Sequence, residues 1–67
     1  MTLKQLRESA NLRQVDVAKK LNIDQTAVSN WECGKTRPAK KYRKKLAKMY
    51  MLPLDDLNFL VENAKEA

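Results

Sequence analysis

The sequence predicts an all-α protein, a compact bundle of five short helices that forms a single domain over residues 1–67. The chain has 67 residues, which is the size of one small domain. It contains one glycine and two prolines, too few for the tight hairpins of a small β-fold. Hydrophobic residues make up 43% and charged residues 33% of the chain, a balance typical of folded soluble domains.

The first two helices are predicted from capping residues and apolar spacing. Thr2 and Gln5 have the spacing of a capping box, which predicts the start of a first helix. That helix should end near Asn11, because asparagine tolerates the left-handed conformation at a helix end. Apolar residues recur at helical spacing over residues 14–21, which predicts the second helix. Asn22 can close that helix because asparagine enters the left-handed region more readily than most residues.

The third and fourth helices follow from stop and start signals. Asp24 is a suitable N-cap for a third helix over residues 25–33, and Gly34 stops it. Pro38 suits the first turn of a fourth helix that reaches about Tyr50.

The fifth helix is predicted to follow Pro53 and to end at about Asn63. Pro53 breaks the chain, and Asp55 and Asp56 favour the positive end of the helix that follows. The apolar residues expected to face the core are Leu54, Leu57, Leu60, Val61 and Ala64.

The composition excludes most catalytic and metal sites. Without histidine and with one cysteine, the chain has no Ser-His-Asp or Cys-His arrangement, no classical zinc cluster and no internal disulfide. The longest apolar run, residues 49–54, is too short to cross a bilayer. We therefore expect no enzymatic activity, no cofactor, no metal, no membrane association and no small-molecule substrate, in a soluble cytoplasmic protein.

Positive charge is concentrated in the middle of the chain. The net charge is +6, and residues 35–48 carry eight basic and no acidic side chains, whereas residues 49–67 carry one basic and four acidic ones. Such a block indicates a polyanionic partner such as nucleic acid or a membrane surface. The membrane alternative is the weaker one, because Tyr42, Leu46 and Tyr50 are needed for the core of so small a domain.

The third predicted helix has an uncharged polar face. Five residues fall within an arc of about 140°: Gln25, Thr26, Ser29, Asn30 and Cys33. Amides and hydroxyls combine donors and acceptors without fixed charge, which suits the edges of bases in a DNA groove. The alternative is a neutral face hidden against a partner. Trp31 lies on the opposite side, which predicts a place in the core, and Cys33 is interpreted as a small structural residue.

Two short helices with a turn of three or four residues between them precede the basic block, and this is the helix-turn-helix arrangement. A set of residues carries a more specific likeness: Leu6, Arg7, Gln14, Ala18, Leu21, Ile23, Val28, Trp31, Glu32, Gly34 and Pro38. With these residues, the stretch 6–38 resembles the lambda-repressor-like family of phage and bacterial regulators, also called Cro/C1-type or XRE-like. The resemblance implies a lambda-repressor-like fold with its helix-turn-helix at helices 2 and 3.

The resemblance also implies roles for individual residues. Gln14 is expected to grip a phosphate and support Gln25, and Arg7 and Glu32 to form a partly buried ion pair. With Ser29 added from the polar face, the expected base contacts are Gln25, Thr26, Ala27, Ser29 and Asn30. The expected phosphate contacts are Gln14, Lys35, Thr36 and Arg37 by resemblance, and Arg13, Lys40 and Arg43 by position.

Two positions depart from the family pattern, and a third lies outside the apolar stripe of its helix. Arg13 replaces the Ser or Thr usual at the second helix's N-cap, which predicts a loss of about 1 kcal/mol of capping. Asn22 replaces the usual glycine in the turn. Phe59 lies about 140° from Leu54 on the last helix, and is either a stray exposed aromatic residue or a dimer contact.

Two functions remain open. The first is a sequence-specific transcriptional regulator of a bacterium or phage, a repressor that binds a pseudo-palindromic operator in double-stranded DNA as a homodimer and is associated with the nucleoid. The second is a helix-turn-helix-derived protein-interaction module of the antitoxin or anti-repressor type. Lys35 and Arg37 lie beside the third helix, where phosphate binding needs them, and this favours the first.

Overall fold

A computed structural model describes residues 2–63 of the chain. Five helices follow one another: α1 (Leu3–Ser9), α2 (Gln14–Leu21), α3 (Gln25–Cys33), α4 (Lys40–Met49) and α5 (Leu54–Glu62). Short connections join them, and no strand occurs within the described range. The predicted all-α, five-helix fold is confirmed. None of these helices is long and apolar enough to cross a membrane.

Helix α1 begins at a complete capping box. The Thr2 hydroxyl accepts a hydrogen bond from the Gln5 backbone N–H at 3.1 Å, and Gln5 Oε1 accepts one from the Thr2 N–H at 2.8 Å. The helix ends at Ser9, two residues before the predicted end, and Asn11 has a left-handed φ of 58°. The capping box satisfies two backbone donors that the first turn of a helix otherwise leaves unpaired.

Helix α2 has the predicted bounds, and its N-terminus is capped in a way that the sequence did not predict. Arg13, the N-cap residue, has no side-chain acceptor, yet Asp16 Oδ2 accepts a hydrogen bond from the Arg13 backbone N–H at 2.9 Å. Asp16 also receives two hydrogen bonds from the Arg13 guanidinium, both at 3.1 Å. The reciprocal half of a capping box therefore offsets part of the capping loss that the sequence predicted.

Helix α3 also has the predicted bounds and the predicted residues at both caps. Asp24 is the N-cap residue by position, but its side chain makes no capping hydrogen bond. At the other end, Gly34 takes a φ of 84°, and its N–H bonds the carbonyls of Asn30 and Trp31. Glycine adopts this left-handed conformation without a Cβ penalty, which explains why the helix stops there.

Helix α4 starts later than the sequence predicted. Pro38 is not in its first turn, because the chain is still extended at Ala39, the N-cap residue, whose carbonyl accepts the first helical hydrogen bonds. Pro38 is instead fully buried before the helix. Proline's preference for the first turn of a helix therefore does not set the start of α4.

Helix α5 buries Leu57 and Val61 as predicted, but Leu54 is 40% exposed. Leu54 is the first residue of the helix, so it lies at the end of the stripe, where the core no longer covers it. Leu60 is half-buried and packs against the core. Ala64, the last member of the predicted stripe, lies outside the described residues.

Every helix contributes to one hydrophobic core. Its buried members are Leu3, Val17, Ala18, Leu21, Val28, Trp31, Leu46, Ala47, Tyr50, Leu57 and Val61. Trp31 is 8% exposed and packs against Tyr42, with 5.7 Å between the ring centroids, so its predicted place in the core is confirmed. The apolar side of α3 is therefore directed inward, and its polar side is left for other contacts.

Candidate nucleic-acid interface

The turn between α2 and α3 orients the polar face of α3. Asn22 takes the left-handed conformation, with φ 57° and ψ 49°, in the place where glycine is usual. The next residue, Ile23, donates its N–H to the Ala18 carbonyl at 2.9 Å and packs its side chain against the core. Three residues thus connect two helices that are both fixed by the core, as the helix-turn-helix arrangement requires.

The outer face of α3 is uncharged and reachable from solvent. Gln25 and Thr26 are exposed, and Ala27, Ser29 and Asn30 are half-buried. Cys33 is half-buried as well. The five residues expected to contact bases therefore lie on one helix whose outward side carries amide, hydroxyl and methyl groups, the chemistry that fits the major groove.

A relay of hydrogen bonds connects this face with the interior. Arg7 Nε donates to Glu32 Oε2 at 2.6 Å, and Arg7 Nη2 lies 3.3 Å from Glu32 Oε1. Gln14 Nε2 donates to that same Oε1 at 2.9 Å. Gln25 Nε2 then donates to Gln14 Oε1 at 3.3 Å. The relay thus runs from a buried ion pair to the first residue of α3.

Burial makes the inner end of this relay electrostatically strong. The side chains of Arg7 and Glu32 are 10% and 6% exposed. The hydrogen bond to Glu32 raises the pKa of Arg7 above its ordinary value, against the effect of burial. Arg7 also donates to the Leu12 carbonyl at 2.9 Å, which fixes the end of α1 to the start of α2. The pair, with Gln14 as a further donor to Glu32, therefore connects α1, α2 and α3.

Tyr50 lies close to the same pair. Burial, followed by the negative charge of Glu32, raises its pKa to about 12, while the positive charge of Arg7 acts in the opposite direction. The neutral phenol is therefore the form that the folded protein favours.

The residues expected to contact phosphates have different surroundings. Lys35, Thr36 and Arg37 are exposed in the connection that follows α3, and Lys40 is exposed at the first residue of α4. The Asn30 carbonyl accepts hydrogen bonds from the Lys35 and Thr36 backbones at 3.0 and 3.5 Å. The backbone of this connection is therefore attached to the last turns of α3, while the Arg37 guanidinium is directed to Glu62 on α5.

Arg13 and Gln14 lie at the start of α2. Arg13 is 78% exposed and forms its ion pair with Asp16 at 3.1 Å. The side-chain hydrogen bond from Arg13 lowers the pKa of Asp16, and the same bond raises that of Arg13. Gln14 is half-buried, with its amide oxygen turned to Gln25 and its nitrogen to Glu32. One N–H of its NH₂ group donates no hydrogen bond within residues 2–63, and the expected phosphate contact stays a prediction.

Arg43 is surrounded by acceptors of the protein itself. Its side chain is 12% exposed, and its Nε donates to the Pro38 carbonyl at 2.9 Å. Its Nη1 bonds Glu62 Oε1 at 2.9 Å and Asn58 Oδ1 at 3.5 Å. A phosphate contact by Arg43 stays a prediction, and in the free protein these contacts turn the guanidinium inward, where it attaches α4 to α5.

Sequence reasoning also missed two acidic residues. Glu62 contacts Arg37 and Arg43, which are 25 and 19 positions away, and Asp16 contacts Arg13. The spacing of Arg13 and Asp16, three residues apart at a helix start, could have revealed their contact. No local pattern reveals Glu62. Within residues 2–63, no cluster of three side chains could hold a metal ion.

Comparisons with known proteins agree with this geometry. A family model described as "Helix-turn-helix" matches residues 3–57. The HTH-type transcriptional activator BcrR of Enterococcus faecalis is 38% identical over 55 residues, which cover 82% of this chain and 27% of that protein. The chain thus spans about a quarter of the length of the relative it matches. No solved structure matches it significantly.

Proposed function

Because this chain belongs to the helix-turn-helix family of the Cro/C1 type, we propose that it is a regulator of transcription that binds specific sequences in double-stranded DNA. The observation that carries this proposal is the relay that ends at Gln25. A glutamine has three side-chain torsions, and ordering it costs free energy on binding. The contact with Gln14 at 3.3 Å reduces that cost by holding the amide before DNA arrives.

In the proposed complex, α3 lies in the major groove. Gln25 pairs with one base, most naturally adenine, while Thr26, Ser29 and Asn30 contact neighbouring bases and Ala27 lies close to the backbone or a thymine methyl. The phosphates on either side are bound by Gln14 and Arg13 at the start of α2, and by Lys35, Thr36 and Arg37 after α3.

The first turn of α4 supports the same orientation. Lys40 and Lys41 are exposed there, and no acidic residue accompanies them in that turn. Positive side chains at the positive end of a helix are unfavourable for the isolated helix. A phosphate placed at this end relieves the repulsion and receives both the lysines and the unpaired backbone N–H groups.

The proposal includes two copies per site and a direction of control. One short helix reads too few base pairs for specificity, so a homodimer on a pseudo-palindrome with half-sites about 10 bp apart is expected. Occupying an operator blocks transcription without any further contact, and on that ground repression is proposed. The matched relative is named a transcriptional activator, and the proposal for this chain differs from that name in the direction of control.

The deciding experiment is selection of bound sequences from a random duplex pool. The expected outcome is enrichment of one pseudo-palindrome by the parent protein and loss of a defined base pair of each half-site with Gln25→Ala. Lys19→Ala is the matched control, since Lys19 is exposed on α2 and unassigned to DNA, and it should enrich the same sequence. Absence of any enrichment at low salt would favour a protein-interaction module of the antitoxin or anti-repressor type.

A further inference from the structure

Glu62, the last residue of α5, lies between two arginines. Its Oε2 accepts a hydrogen bond from Arg37 Nη1 at 3.1 Å, and its Oε1 accepts one from Arg43 Nη1 at 2.9 Å. Arg37 Nη2 also lies 3.4 Å from the Glu62 backbone carbonyl. A carboxylate at the negative end of a helix is unfavourable by itself, so these two guanidinium groups are what hold it there.

The two arginines are not equivalent. Arg43 is 12% exposed and has further acceptors in Pro38 and Asn58, so it is fixed in place. Arg37 is 55% exposed, and within residues 2–63 every hydrogen bond of its side chain goes to Glu62. Of the two contacts, therefore, the one to Arg37 can open without disturbing the packing of α4 on α5.

We infer that Glu62 occupies Arg37 in the free protein as an internal substitute for a DNA phosphate, and that DNA binding exchanges this carboxylate for a phosphate. The inference rests on the proposed function, which places Arg37 against the DNA backbone. Carboxylate and phosphate both fit the guanidinium fork, so they compete for one group. Glu62 keeps its contact with Arg43 after the exchange and lowers DNA affinity without touching a base.

The test is Glu62→Gln, with affinity measured by fluorescence anisotropy on the selected operator and on an unrelated duplex. The amide of glutamine keeps one oxygen that can accept the hydrogen bond from Arg43. It has no negative charge and no second oxygen, so its interaction with Arg37 is weaker. Exposed ion pairs are weak, so we expect binding to tighten about two- to five-fold on both duplexes. In an Arg37→Ala background the same change should give no such gain.

Asp56→Asn is the matched control for net charge. Asp56 is exposed on the same helix, and no ion pair found among the described residues involves it. Its removal should tighten binding less than Glu62→Gln does. An equal gain with Asp56→Asn, a gain that persists in Arg37→Ala, or weaker binding by Glu62→Gln would each overturn the inference.

A second measurement does not depend on how well Glu62→Gln folds. The Nε–H signals of Arg37 and Arg43 can be followed by NMR while the parent protein is titrated with operator DNA. The Arg37 signal should shift and the Arg43 signal should not. A static Arg37 signal in a complex that forms would overturn the exchange alone, whereas failure to bind any duplex at low salt would overturn the proposed function.

Discussion

At the scale of single residues, the relay from Gln14 to Gln25 predicts coupled effects on DNA recognition. Gln25→Ala should remove about 1–3 kcal/mol of discrimination at one base pair of each half-site. Gln14→Ala should lower affinity in general and remove part of the same preference, because Gln25 loses the partner found at 3.3 Å. The two effects should therefore not add.

The measurement is a double-mutant cycle on the selected operator and on a duplex altered at that base pair. The salt dependence of binding should not change in Gln25→Ala, since a neutral amide releases no counterions. Strict additivity of the two substitutions would show that Gln14 does not position Gln25.

The Arg7–Glu32 pair predicts a large effect on folding. Both side chains are at most 10% exposed, so removing one partner leaves a buried charge, at a cost of roughly 3–5 kcal/mol. Thermal and urea unfolding of Arg7→Met, Glu32→Leu and the double variant should show that the double variant loses less stability than the two singles together.

Arg13→Met serves as the control for this experiment. It breaks an ion pair whose arginine is 78% exposed, so its melting temperature should stay close to that of the parent. If Arg7→Met melted like Arg13→Met, the buried pair would contribute little to the fold. Where a single variant does not fold, sulfate can be added to all samples. Sulfate raises the free energy of unfolding because it strengthens the hydrophobic stabilisation of the folded state.

Tyr50 predicts a loss of stability in alkali. Its pKa rises from 10.0 to about 12 in the folded protein. An unfolded chain releases the phenolic proton near pH 10, so the folded state binds more protons between these values and stability falls as the pH rises through them. Below pH 10 the contribution is fully present. Urea unfolding should show this fall in the parent relative to Tyr50→Phe, because the two proteins differ only in the phenolic hydroxyl.

At the scale of elements, the connection after α3 predicts the electrostatic part of binding. Lys35 is exposed there, and its backbone is held by the Asn30 carbonyl at 3.0 Å. If about four phosphates are neutralised per subunit, the slope of log K against log salt should be near −3.6. Lys35→Ala should flatten it by about one unit and weaken binding equally on all sequences.

Lys48→Ala is the comparison for that slope. Lys48 lies in the last turn of α4, at the end away from the expected phosphate contacts, and is also exposed. It changes the net charge by the same amount, so its effect on the slope should be smaller. A slope unchanged by Lys35→Ala would remove this connection from the phosphate contacts.

The elements also show which parts of the structure local sequence can predict. The bounds of α2 and α3 agree with the prediction because left-handed residues, Asn22 and Gly34, end both helices through local geometry. The predicted start of α4 was wrong, since Pro38 is buried before the helix and Ala39 is the N-cap, and a proline's burial depends on parts of the chain that its neighbours do not reveal. The inward turn of Arg43 depends on Glu62, 19 residues later in the chain, and local spacing carries no information about such a partner.

The same limit applies to the candidate interface. The uncharged face of α3 is visible in the sequence because helical periodicity alone groups its residues. The second contact of Glu32, with Gln14 at 2.9 Å, depends on how α2 crosses α3. Periodicity within one helix cannot supply the relative orientation of two.

At the scale of the whole molecule, we expect Phe59 to lie in the interface of the proposed homodimer. It is 71% exposed on α5, about one turn after the exposed residues Asp55 and Asp56. Sedimentation with and without operator DNA should show weaker pairing for Phe59→Ser. Met51→Ser is the control, because Met51 is 89% exposed in the turn before α5. Undiminished pairing in Phe59→Ser, or an equal loss in both variants, would place the interface elsewhere.

The position of Trp31 gives the molecule a useful optical property. It is the one tryptophan of the chain, and it is buried against Tyr42 on the side of α3 opposite the polar face. Its emission should be that of an indole in an apolar environment and should shift to the red on unfolding. Bases bound to the polar face would not touch the ring, so they should quench it little. Fluorescence can therefore follow the folding of each variant while the operator is bound, without an added label.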